Sequence, residues 1–247
     1  MYFLFRGKVY EKAEVAALFS FLAGLVFLGG NLIWIVINPS LSEFFQNFSK
    51  ITFNSNLVAL IVSGLYYFKP DCRIFINNFF LTFAAVLLWF AGLGFWCLLF
   101  PIFYIDLGNY IVPSNIQEWY YFSMFFVFWD HLVTQILFLI MFLYCCRKSN
   151  ANYLIPVPTK SIGCAVYLCL IIWVFWNVIL THLDVAFPTY GILTNFNPHS
   201  EHMELMNLFS FKSLLGCHLL CIIIAYVLLV TFSRISFQIH IHNVGMA

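Results

Sequence analysis

Apolar runs of lipid-spanning length alternate with short polar breaks along the whole chain. They cover about residues 15–37, 51–68, 74–99, 119–144, 162–180 and 209–232. An α-helix rising ~1.5 Å per residue crosses a ~30 Å hydrocarbon core with ~20 residues, so each run predicts a transmembrane helix. Asn38-Pro39-Ser40, Lys69-Pro70-Asp71 and the pair Pro156 and Pro158 fall between runs, where a helix would have to stop. Leu41 to Lys50 is a short amphipathic connection whose Phe44, Phe45 and Phe48 suit the membrane interface. The last run is followed by Arg234 and what reads as a tail with His240 and His242. The pattern predicts an all-α, polytopic membrane protein, with six transmembrane helices in one bundle forming a single domain over residues 1–247.

Composition agrees and removes other classes. The chain is 63% hydrophobic, 21% aromatic and 9% charged, with a mean hydropathy of +0.94, whereas a soluble domain carries roughly 25% charged residues. A net charge of +1 gives no reason to expect nucleic acid. Of the eight cysteines, Cys97, Cys164, Cys169, Cys217 and Cys221 lie inside apolar runs, and Cys72, Cys145 and Cys146 lie beside basic residues, so no disulfide scaffold is expected. Cys145-Cys146 reads as a pair of small hydrophobes at a helix end or as an acylation site.

Charge also sets the orientation. Six spans put both termini on one side, together with Arg6, Lys8, Lys12, Lys69, Arg73, Arg147, Lys148, Lys160 and Arg234. Lys50 and Lys212 face the other side, with the acids Glu43, Asp106, Glu118, Asp184, Glu201 and Glu204. By the positive-inside rule the termini are cytoplasmic, and the cell membrane is the expected location.

The polar residues within the runs gather in the outer halves. Thr52, Asn54, Ser55 and Asn56 open the second span; Asp130, His131, Thr134 and Gln135 lie in the outer half of the fourth. Asn177, Thr181, His182 and Asp184 close the fifth, and His218 lies near the outer end of the sixth. Ionisable groups in a span are expensive and commonly functional. Together these residues predict an outer-leaflet polar pocket, roofed by the loop from Asp184 to Asn207. His131 and Gln135, at i and i+4, share a helix face. Asp130 and His131 stand ~100° apart on a regular helix, so a partner for His131 must come from another span. Each group also has a plainer role: Thr52 and Asn54 as helix-start caps, Asn177 and Thr181 as interhelical hydrogen-bonding groups, His218 as a core histidine and Asp130-His131 as a structural buried pair.

The stretch Ile51-Thr52-Phe53-Asn54-Ser55-Asn56-Leu57-Val58 resembles the opening of a span in a broad six-span family of bacterial and mycoplasmal membrane proteins, distantly similar to the androgen-induced integral-membrane hydrolases. Asp130-His131-Leu132-Val133-Thr134 and Ala186-Phe187-Pro188-Thr189-Tyr190 resemble two further segments of that family. The resemblance implies a threonine hydrolase acting on fatty-acid esters, with Thr52 as nucleophile and His131 as general base. The chain departs from the pattern at Gln135-Ile136-Leu137, where the family often has a proline.

The chemistry is coherent with the residue types. A threonine hydroxyl needs a base to take its proton, and a neutral imidazole within hydrogen-bonding reach does so. Asn54, Asn56 or Gln135 then offers an amide to a developing oxyanion. On a helix starting at Trp119, His131 lies ~18 Å along the axis; it reaches Thr52 if the first turns project beyond the bilayer. No cofactor is implied, membrane lipids are the surroundings, and a lipid-like ester is the candidate substrate; the oligomeric state is not encoded. The alternatives are a small-solute or proton-coupled transporter using Asp130, His131, Asp184 and His218, and a non-catalytic membrane protein. The paired Gly/Pro interruptions of discontinuous transport helices are not visible, and no His-x-x-x-His spacing supports a metal site.

Overall fold

The computed structural model describes residues 2–5, 8–37, 39–73, 76–99, 125–148, 159–183 and 211–245. Its first long helix, α1 (Lys12–Ile37), has no internal proline and repeats small residues along one side. Ala13, Ala16, Ala17, Ser20, Ala23, Gly24, Phe27 and Gly30 recur at spacings of three and four and are buried. Small side chains let backbones approach closely, which is how helices associate in lipid. That seam packs against α3 (Ile51–Phe68) and α5 (Thr134–Lys148). At Gly24 an added Cβ would meet Leu60, and at Gly30 the ring of Phe126. The other side of α1 exposes Phe19, Leu22, Leu25, Val26, Ile33 and Val36. A helix apolar on both faces belongs in a core or a bilayer.

The innermost element is α4 (Leu81–Gly94), in which Leu81, Ala84, Ala85, Val86 and Leu88 are almost fully buried. It packs against α3, α5, α6 (Thr159–His182) and α7 (Phe211–Gly245). Five helices among the described residues are long and apolar enough to cross a membrane, and Leu81–Cys97 is a shorter apolar one. Their outward faces carry further large apolar residues, including Leu168, Ile172 and Phe175 on α6 and Ile222, Ile223 and Val227 on α7. The chain has the architecture of a multi-pass membrane protein.

Four features differ from the pattern read along the sequence. The basic N-terminal segment forms an antiparallel hairpin, β1 (Tyr2–Phe5) paired with β2 (Lys8–Glu11), so the fold is almost entirely rather than wholly helical. The connection after α1 is itself a helix, α2 (Leu41–Ser49), pinned by ring contacts of Phe48 with Phe53 and of Phe45 with Trp176. The third run is not one regular helix, because π-helical turns at Ile76–Phe80 and Phe95–Leu99 bracket α4. The C-terminal stretch with His240 and His242 continues α7 as far as Gly245, since no proline or glycine falls between Arg234 and that residue. Cys145 and Cys146 are buried in the core, which leaves neither presented for acylation.

The two ends of the bundle differ in kind. At the end where α3 finishes, Arg73 forms an ion pair with Glu14 of α1 at 2.8 Å. Arg73 Nε also donates to the Tyr66 carbonyl at 3.0 Å, and Lys12 sits over the Tyr144 ring. The end where α3 begins holds Thr52.

Candidate functional site

Thr52 occupies the first turn of α3 because the chain re-enters a helix immediately after α2. Two donors from α6 fix that junction: Trp173 Nε1 and Asn177 Nδ2 both donate to the Ser49 carbonyl, at 2.6 and 3.0 Å. Asn54 Nδ2 donates to the Phe48 and Lys50 carbonyls, closing the same turn from within. Thr52 is thereby buried at the head of a helix whose start cannot fray freely.

His131 comes from a π-helical turn, Trp129–Val133, that leads into α5. In that turn the Thr134 backbone N–H bonds to the Trp129 carbonyl, one residue further back than in an α-helix. The turn is held against its neighbours. Trp129 Nε1 donates to the Ala23 carbonyl of α1 at 3.0 Å, and Trp96 Nε1 donates to the His131 carbonyl at 2.8 Å. Phe95 lies flat on the imidazole, with ring centroids 3.7 Å apart.

The two residues meet: Thr52 Oγ1 and His131 Nε2 are 3.0 Å apart. The other ring nitrogen, Nδ1, is 2.8 Å from the Val127 carbonyl. A carbonyl only accepts, so Nδ1 carries the proton in that bond, and the neutral ring presents a bare Nε2. The Thr52 hydroxyl therefore donates to His131. A hydroxyl aimed at an unprotonated imidazole, whose tautomer is fixed by a third group, is the arrangement of an activated nucleophile.

Around the pair, Asn56 Nδ2 donates to the Thr52 carbonyl at 2.9 Å and to the Asp130 carbonyl at 3.0 Å. Ser55 Oγ donates back to the Thr52 carbonyl, and Thr134 Oγ1 to the Asp130 carbonyl. The side chain of Asn31, on α1, faces the Asp130 carboxyl, whose Oδ1 is buried without a hydrogen-bond partner. Gln135 is 2% exposed and its Nε2 has no partner. Its amide sits where a side chain on Gly92 would be, so the glycine makes room for it. Gly92 and Phe95 are three residues apart, so Gln135 and His131 both face the third apolar run.

The remaining candidates are distributed elsewhere. Asn177 serves the α2–α3 junction rather than the Thr52 hydroxyl. Thr181 and His182 complete the last turn of α6; their side chains, with Asp184 and the loop expected to roof the pocket, lie outside the described residues, as does the resembling segment 186–190. His218 lines a different space, a cavity of about 250 Å³ bounded by Phe90, Leu170, Trp173, Val174 and Ile222. No other residue named for the polar pocket lines it. No cluster of three metal-ligating side chains occurs among the described residues. Comparison with protein-family models, with curated proteins and with solved structures gives no match.

Reading the sequence missed Trp96 and Phe95, which sit directly on His131. A tryptophan near a span end is ordinarily an interface anchor, and nothing in its spacing points to the carbonyl it caps.

Proposed function

We propose that this protein is a six-span membrane hydrolase of lipid-like esters, with Thr52 as nucleophile and His131 as general base. One observation carries the reading: the 3.0 Å approach of the Thr52 hydroxyl to His131 Nε2, with the opposite ring nitrogen committed to the Val127 carbonyl. The resemblance around Thr52-Phe53-Asn54-Ser55-Asn56 points the same way.

In this mechanism Thr52 Oγ1 attacks the ester carbonyl carbon as its proton passes to His131 Nε2. The protonated imidazole returns that proton to the departing alcohol oxygen, leaving an acyl-threonine. A water then attacks the acyl carbon while His131 takes its proton, and Thr52 Oγ1 leaves and is reprotonated. The sum is ester plus water giving acid plus alcohol. Of the three amides near the pair, both hydrogens of Asn54 and of Asn56 are engaged by backbone carbonyls, whereas Gln135 Nε2 is unengaged. Gln135 is thus the amide offered to the oxyanion.

The orientation belongs to the same proposal. With both termini cytoplasmic, the Glu14–Arg73 end of the bundle is inward and Thr52 and His131 lie in the outer half, where an ester enters sideways from the outer leaflet. The test is labelling of the purified protein with a lipophilic fluorophosphonate. Wild type should be modified on Thr52, and folded Thr52→Ala and His131→Ala should not. Absence of labelling in wild type would reject hydrolysis and turn attention to proton or solute transfer through Asp130 and His131.

A further inference from the structure

Asn56 spans the two helices that carry the reacting pair. It is 1% exposed, lies one turn below Thr52 on α3, and uses both hydrogens of one amide nitrogen on carbonyls of different elements. One is the carbonyl of Thr52 itself and the other that of Asp130, the residue before His131. Only the NH2 side of an amide donates, so its orientation is dictated by its two acceptors.

The second acceptor is the informative one. A π turn offsets backbone carbonyls from the regular helical ladder, and such turns persist where something outside the helix holds them. Here two side chains from elsewhere do so at consecutive residues: Asn56 on the Asp130 carbonyl and Trp96 on the His131 carbonyl. Thr134 adds a bond from within its own helix. Within this turn His131 Nδ1 reaches back to the Val127 carbonyl while Nε2 faces Thr52.

We infer that Asn56, assisted by Trp96, is the positioning residue of the site: it clamps the Thr52 and Asp130 carbonyls together and so holds the π turn that aims His131 at Thr52. The inference rests on the hydrolase reading for its kinetic consequence but not for its geometric one. Asn56 does not touch the reacting atoms; its effect is transmitted through the backbone of both partners.

The test uses the full chain in nanodiscs, with Asn56→Leu, which keeps the volume and removes both donors, and Trp96→Phe, which keeps a ring and removes one. The rate constant and the apparent affinity of fluorophosphonate labelling are separated for each. Misplacement by about 1 Å costs roughly a hundredfold in rate, so Asn56→Leu should lose about that much in the rate constant while probe affinity and the thermal transition hold. Trp96→Phe should move the same way by less. A rate constant within about twofold of wild type in folded Asn56→Leu overturns the inference. If wild type does not label at all, the hydrolase reading fails, and ¹⁵N-histidine NMR decides the positioning claim separately. Assigned by its loss in His131→Gln, the ring should be a single Nδ1–H tautomer in wild type and a tautomeric mixture in the variants. An unchanged single tautomer in the variants overturns the clamp. If Asn56→Leu does not fold, the same two readouts on Trp96→Phe decide between the clamp and its absence.

Discussion

Gln135 is an amide inside an apolar helix, buried, with a donor that bonds to nothing and a glycine opposite that makes room for it. Leaving such a group unbonded costs about 1–3 kcal/mol, so replacing it with Leu should not weaken the fold and should raise its thermal transition. Under the proposed function the same change removes the oxyanion donor, and turnover of a short-chain ester should fall by about 10²–10³-fold. Loss of rate together with a gain in stability separates a reacting amide from a structural one; unchanged turnover would remove Gln135 from the mechanism. At His131, substitution by Ala removes the base and should reduce turnover by about 10²–10⁴-fold, measured beside Thr52→Ala to see whether the two losses fail to add. Much of this site can be read along the chain, because polar groups are rare enough in a lipid-length run that each one stands out. Thr52, Asn56, His131 and Gln135 were visible for that reason. What Asn56 does was not visible, because its acceptors are backbone carbonyls, which every residue carries alike.

Five of the six expected spans were legible as helices of membrane-crossing length, and the third run as a shorter apolar one, because hydrophobic length is a strong signal. Their irregularities were not. The π turn at Phe95–Leu99 follows Gly92 and Gly94 and precedes Pro101, and that at Trp129–Val133 carries Asp130 and His131, but neither pattern singles out a π turn. The Trp129–Val133 turn takes bonds from Asn56 and Trp96, which are distant from it in the chain. The seam of α1 was equally silent, since a regular spacing of Ala and Gly in an apolar run also suits a helix that packs against nothing. That seam makes a clear contrast. Gly30→Ala drives a methyl into the Phe126 ring and should cost about 1–3 kcal/mol by overpacking. Gly29→Ala meets nothing within 4 Å and should gain up to about 1 kcal/mol from helix propensity. Thermal unfolding in one detergent compares the two; equal effects would mean that the α1 seam is not close-packed.

Among the described residues, polar contacts gather at two ends of the bundle. One is held by the Glu14–Arg73 pair and by Lys12 over Tyr144, and the other holds the Thr52–His131 pair. Under the proposed orientation, the excess of Lys and Arg puts the first end in the cytoplasm. Under that orientation an impermeant maleimide applied to intact cells should modify Ser40→Cys, between α1 and α2, and spare Asp71→Cys, just after α3. The reverse pattern would invert the topology. Both positions are exposed, so access through the bilayer alone decides the outcome.

The two hydrogen bonds from α6 to the Ser49 carbonyl have a bearing on how the protein is made. Its donors, Trp173 and Asn177, lie 124 and 128 residues downstream of Ser49. A ribosome delivers α3 and the His131 turn to the membrane well before α6 exists. Until α6 docks, the start of α3 lacks the latch that fixes Thr52. A nascent chain halted before Thr159, where α6 begins, therefore contains both members of the pair and the Asn56 link between them, without the α6 bonds that hold the start of α3. Insertion of the Thr52–His131 pair and completion of its surroundings are then separate events, and the later one waits for a helix that touches neither side chain of the pair.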